Sequence, residues 1–147
     1  MKKSLFFIAT VLLTFTVAAQ SSDKLTQIIQ SQPSTCGQMA YLYCVYSQLL
    51  PETATFEEAF SVFQENFPVK DGLTASSPVT LSELSLTFAK LTNLKGGLFY
   101  SIFKNRRYAF KELQAKGILP PDADPSDTPS GRNLIAVFNS CLEQQGE

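Results

Sequence analysis

The chain has 147 residues, 12 Lys and Arg against 13 Asp and Glu, and no His, for a formal charge of −1. That balance lacks the positive excess that nucleic acid asks of its binders, and nucleic acid is excluded as the main partner. Without imidazole no Ser-His or Cys-His nucleophile can be assembled, and the 3 cysteines fit no zinc spacing. No metal, no cofactor and no catalytic residue is expected.

The first twenty residues, MKKSLFFIATVLLTFTVAAQ, place Lys2 and Lys3 ahead of an apolar run from Leu5 to Val17 and end in small residues. This is the build of a secretory signal peptide over residues 1–19, cleaved after Ala19. Removing Lys2 and Lys3 leaves 10 basic residues against 13 acidic ones, a charge of −3 on a chain still long enough for one core. The nearest cysteine after the cut is Cys36, so the exported protein is not lipid-anchored. It belongs in the periplasm or at the cell surface, and it meets a membrane only through the signal peptide before cleavage. Cys36 and Cys44 on one helix lie about 12 Å apart at ~1.5 Å rise per residue, too far to pair. The cysteines are therefore three buried thiols, or one bridge that uses Cys141.

Residues 20–34 are polar with a small apolar island and read as a weakly packed leader. From Thr35 the spacing turns helical, with Met39, Leu42, Tyr43, Tyr46, Leu49 and Leu50 ahead of Pro51. Three stretches then share a start: Thr55 opens TFEEAFSVF, Thr80 opens TLSELSLTF and Ser130 opens SGRNLIAVF, with Phe63, Phe88 and Phe138 eight places on. Glu58 and Glu83 complete capping boxes in the first two, and Asn133 stands there in the third. Pro51, Pro78 and Pro129 hold extended chain just upstream. Leu98, Phe99, Ile102, Phe103, Ala109, Phe110 and Leu113 form an apolar stripe, which Gly117 stops in a left-handed conformation. Gly96 and Gly97 divide this stretch from the helix before it, or allow close packing within a longer one. No segment holds a strand period. The fold class is all-α: residues 35–147 form a single domain, a compact bundle of about five repeated, capped helices.

Chemistry is thin. Glu57 and Glu58 are neighbours on a helix and point about 100° apart, so they do not converge on a substrate. Asp122, Asp124 and Asp127 crowd one turn, but it lacks the Gly and the terminal Glu of a calcium loop, which leaves them as turn formers. Charge is segregated: seven bases and one acid, Glu112, lie between Lys90 and Lys116, while four acids and no base lie between Glu52 and Glu65. Either the two segments face each other, or the basic helix is a surface for an acidic envelope polymer or an envelope protein. The candidate binding residues are Lys104, Arg106, Arg107, Tyr108 and Lys111. On a continuous helix from Leu98 to Lys116, Arg106 falls in the apolar seam and needs a buried partner. If Asn105 caps a new helix, Arg106 is more exposed.

The half from Thr80 to Leu142, read as YAFKELQAKGIL, PPDADPSDTP and SGRNLIAVF, resembles a degenerate surface-layer homology (SLH) domain of bacterial envelope proteins; TLSELSLTF and TFEEAFSVF are similar to further helix starts. The resemblance implies a non-catalytic, exported binding or scaffolding module of the bacterial cell envelope. Members that hold wall polymers share an Arg after the helix-start Thr; this chain has Phe56 and Leu81 there, with only Arg132 nearby in the third copy. Two alternatives have their own signatures. A small periplasmic chaperone or inhibitor would show a large exposed apolar groove, and a carboxylate-dependent enzyme of cell-wall glycan would show convergent acids in a groove.

Overall fold

A computed structural model describes residues 22–146 of the chain. The expected signal peptide, residues 1–19, and its expected cleavage position lie outside the described residues. Helices form at residues 22–30 (α1), Cys36–Tyr46 (α2), Phe56–Asn66 (α3), Leu81–Leu91 (α4), Leu98–Phe103 (α5), Arg106–Ala115 (α6) and Gly131–Glu143 (α7). Among the described residues there is no strand, only an isolated bridge between Thr35 and Pro78. No helix among them is long and apolar enough to cross a membrane. The all-α class holds, with more helices than the periodicity suggested. The stripe from Leu98 onward is two helices, and the expected polar leader supplies another.

The caps explain where the helices start. Thr35, Thr55, Thr80 and Ser130 each accept a hydrogen bond from the backbone N–H three residues on, and Asn105 does the same for α6. At Thr55 and Thr80 the box is completed by Glu58 and Glu83; at Thr35, which the sequence reading missed, Gln38 does the same work. The Thr55 N–H donates to Glu58 at 2.8 Å, which holds that carboxyl below its ordinary range. Thr80→Ala and Ser130→Ala should each cost about 1 kcal/mol in urea titrations. Midpoints unchanged by both substitutions would remove capping as the source of these helix starts.

Three of the caps meet in a cycle that makes the fold. At the start of α2, the Cys36 and Gly37 N–H groups donate to the Ser77 and Ala75 carbonyls, in the segment leading to α4. At the start of α4, Leu81 and Ser82 donate to Asp127 and Pro125, in the segment leading to α7. Gly131, the first residue of α7, donates to Ser31 in the segment leading to α2. Each helix start thus hands its unpaired donors to the chain before the next one. The residues just ahead of the caps, Ser34, Val79 and Pro129, are buried together: Val79 N–H donates to Ser34, and Ser34 N–H to Pro129, both within 3.1 Å. Proline has no N–H, so it can close no third link. The Ser34 hydroxyl adds a second donor to the Pro129 carbonyl at 2.8 Å.

This corrects the repeat alignment. The copies equivalent to Thr80 and Ser130 start at Thr35, with Tyr43 in the eighth place, whereas Thr55 caps a helix of the other kind. That helix, α3, packs on α2, as α6 packs on α4. The core runs through Met39, Phe63, Leu84, Phe88, Leu134 and Phe138, with the Phe88 and Phe138 rings 5.1 Å apart. Residues 22–34 pack more firmly than their polarity suggests, because Ile28 is fully buried and Ser31 closes the cycle. The helix expected from Thr35 to Leu50 ends earlier, at Tyr46, in a turn where Gln48 has φ +58°. Gly117 is left-handed as expected, at φ +71°. Its N–H donates to Gln114 and that of Ile118 to Leu113, so the last carbonyls of α6 are satisfied as the chain turns off.

Candidate binding surface

The candidate residues gather where α5 meets α6. Asn105 caps α6 with its side chain on the Tyr108 N–H at 3.1 Å, so the continuous helix does not form. Lys104 takes the corner between the two helices at φ +31°. Arg106 is therefore no internal strut. Its side chain is 39% exposed, and its guanidinium stands 4.0 Å from Glu83, an ion pair open enough to contribute about 0–1 kcal/mol. It is the one ion pair found among the described residues, so the basic stretch and the acidic one from Glu52 to Glu65 do not neutralise each other by direct pairing. Lys104, Arg107 and Lys111 are exposed, with the Lys111 ammonium 3.1 Å from Gln114.

Tyr108 has a structural task. Its ring stacks with Phe99 at 5.8 Å and with Phe103 at 5.3 Å, holding α5 against α6. Burial of Tyr100 roots α5 from the other side and pushes its phenol above the ordinary range. Gly97 offers no side chain to cap α5, and the Glu112 carboxylate accepts from its N–H at 2.9 Å instead. The single acid of the basic stretch is thereby engaged.

What the sequence reading missed is which way α5 faces. Leu98, Phe99, Ile102 and Phe103 belong to the expected apolar stripe, yet they are 72, 62, 62 and 54% exposed. They form an apolar tip on a six-residue helix, with Lys95, Lys104, Arg107 and Lys111 exposed in the flanking chain and on α6. The signal was available in part: Gly96 and Gly97 before, and Lys104 and Asn105 after, cut the stripe into a separate short helix.

A second concavity of about 750 Å³ lies between the segment 118–130 and α7, lined by Pro120, Asp122, Asp127, Asn133, Val137 and Ser140 among others. Its counterpart beside α4 has shrunk to about 20 Å³, room for one water. Counted from the caps, Leu86 and Ala136 hold the same place in α4 and α7. Leu86, Phe60, Phe63 and Phe67 fill the first groove, and Ala136 leaves the second open. The Asp124 carboxylate accepts from the Ser126 hydroxyl and N–H, which lower its pKa and tighten the turn. Among the described residues no cluster of three or more Cys, Asp or Glu could hold a metal ion. Comparison with family models, with curated proteins and with solved structures finds no match for this chain.

Proposed function

We propose that the protein is an exported, non-catalytic binding or scaffolding module of the bacterial cell envelope, SLH-like in build, which docks on an acidic partner through the α5–α6 face. The observation that carries the reading is the apolar tip of α5 in a cationic setting, its one local acid already committed to the Gly97 N–H. The cycle of three capped helices supports the repeat character: it is a frame of equivalent helix starts from which α3 and α6 project. A chaperone would want a large apolar groove; the wide groove here is lined by acids and amides as well as aliphatics, and the mainly apolar one between Leu25, Leu42, Val45 and Phe138 is small, about 180 Å³.

The test is retention of the purified protein on envelope material at low and high salt. Lys104, Arg107 and Lys111, all reversed to Glu, should leave stability within about 0.5 kcal/mol, as exposed changes do. The same variant should lose retention, and wild-type retention should weaken as salt screens the contact. Retention that survives reversal at low salt would reduce the basic face to a solvated helix side.

A further inference from the structure

We propose that the acidic partner of this face is an anionic phospholipid bilayer, entered by Leu98, Phe99, Ile102 and Phe103 while Lys95, Lys104, Arg107 and Lys111 lie against lipid phosphates. The inference rests on the α5–α6 reading above and gives that surface a chemical class of partner. It extends membrane contact from the signal peptide to the folded domain.

Two properties must be explained together, and each of the other occupants explains one. An acidic polymer would match the cations, but it has no use for four large apolar side chains held in water, a patch that soluble surfaces otherwise avoid. A second copy of the chain would bury the apolar tips but press one cationic rim against another. A bilayer interface takes both, because apolar insertion and a basic patch act together there. Leu98 and Ile102 stand one turn apart, as do Phe99 and Phe103, and the Tyr108 ring stacked on the latter pair fixes α5 on α6 with all four side chains still more than half exposed. Phe and Leu side chains with Lys and Arg beside them are the composition of interfacial helices.

The experiment uses the purified exported chain with vesicles of phosphatidylcholine alone, and of phosphatidylcholine mixed with phosphatidylglycerol. The wild type should sediment with the mixed vesicles and not with the neutral ones. Because the chain contains no Trp, Phe99→Trp supplies a single tryptophan, whose emission should shift to the blue on the mixed vesicles. Reversal of Lys104, Arg107 and Lys111 to Glu should weaken vesicle binding by roughly a hundredfold or more. Leu98→Ser with Ile102→Ser keeps the charge; it should melt like the wild type, lose at least about tenfold in vesicle affinity, and leave binding to a soluble polyphosphate unchanged. Equal binding to neutral and anionic vesicles would overturn the proposal, as would self-association that the Ser pair abolishes. Failure to bind vesicles with intact, salt-sensitive retention on delipidated envelope material would overturn the lipid assignment and leave the proposed function standing. Loss of both would remove both.

Discussion

Gly131→Ala should destabilise the protein by on the order of 3 kcal/mol or more, although the same change at the first turn of an ordinary helix is mildly stabilising. An ideal Cβ at this position would sit 1.5 Å from the Ile28 carbonyl oxygen, 2.6 Å from its carbon and 2.6 Å from the Ser31 hydroxyl. The obstacle is mostly backbone, so no rotamer change relieves it. Ile28 is fully buried and cannot swing aside without opening the core. Relief comes only by lifting α1 and the following segment off α7, which also breaks the 3.0 Å bond from Gly131 N–H to Ser31 and so the third arm of the cycle. Gly72→Ala is the control, since Gly72 has φ +83° but nothing within 4 Å of a Cβ. It should lose about 1 kcal/mol of backbone preference only. Urea titration and limited proteolysis after residue 22 together read the effect. A Gly131→Ala protein as stable as the wild type, with the N-terminal helix still protected, would mean that α1 is not seated on α7 as described.

The parts that were legible in the sequence are the parts fixed by local chemistry. A hydroxyl with a Glu three places on makes a capping box wherever it stands, so Thr55 and Thr80 were readable, and Gly117 was readable because a left-handed stop asks for glycine. Thr35 was overlooked because its partner is Gln38, which completes a box as well as Glu does. The grouping of the copies failed for a different reason. Thr35, Thr80 and Ser130 are alike through backbone bonds to segments far away in the chain, and the local sign is slight: Pro33, Pro78 and Pro129 stand one or two places before the cap, where Thr55 has Pro51 four places back. The α5 stripe shows the limit of periodicity. Spacings of three and four say that one face is apolar, not how far another element covers it; here Tyr108 of α6 stacks on Phe99 and Phe103, yet Leu98, Phe99, Ile102 and Phe103 all stay more than half exposed. Charge segregation left two readings open for a similar reason, since composition along the chain carries no information on which faces meet. The open groove beside α7 depends on Ala136 standing where α4 has Leu86, a comparison that acquires meaning only once the helices are superposed by their caps.

Stability should fall steeply between pH 9 and pH 11, by about 1.4 kcal/mol per pH unit for each buried thiol. Cys36, Cys44 and Cys141 are all free and buried, each at most 2% exposed. Burial pushes Cys36 and Cys44 up to about 11 and Cys141 up to about 12, from an ordinary value of 9.0, and the Glu83 carboxylate adds to the rise at Cys36. Below pH 9 the thiols are protonated in folded and unfolded chains alike, and this contribution is complete. Above it the unfolded chain releases protons that the folded one keeps, so unfolding binds fewer protons and its free energy falls with rising pH. The contribution is lost as pH passes through the folded values. Tyr41 and Tyr100, also raised by burial, act in the same direction. Three thiols together give a slope of about 4 kcal/mol per pH unit, large beside the ~5–15 kcal/mol that holds a domain folded. The urea midpoint should therefore be insensitive to these groups from pH 6 to 8.5 and collapse above pH 9.5. The decisive comparison is with Cys141→Ala. That variant should start less stable, because a buried side chain has been cut back, yet lose stability more slowly with pH by about one thiol's share. Parallel curves for the two proteins above pH 9 would show that Cys141 ionises as freely in the fold as in water, and the sealed position at the end of α7 would have to be abandoned.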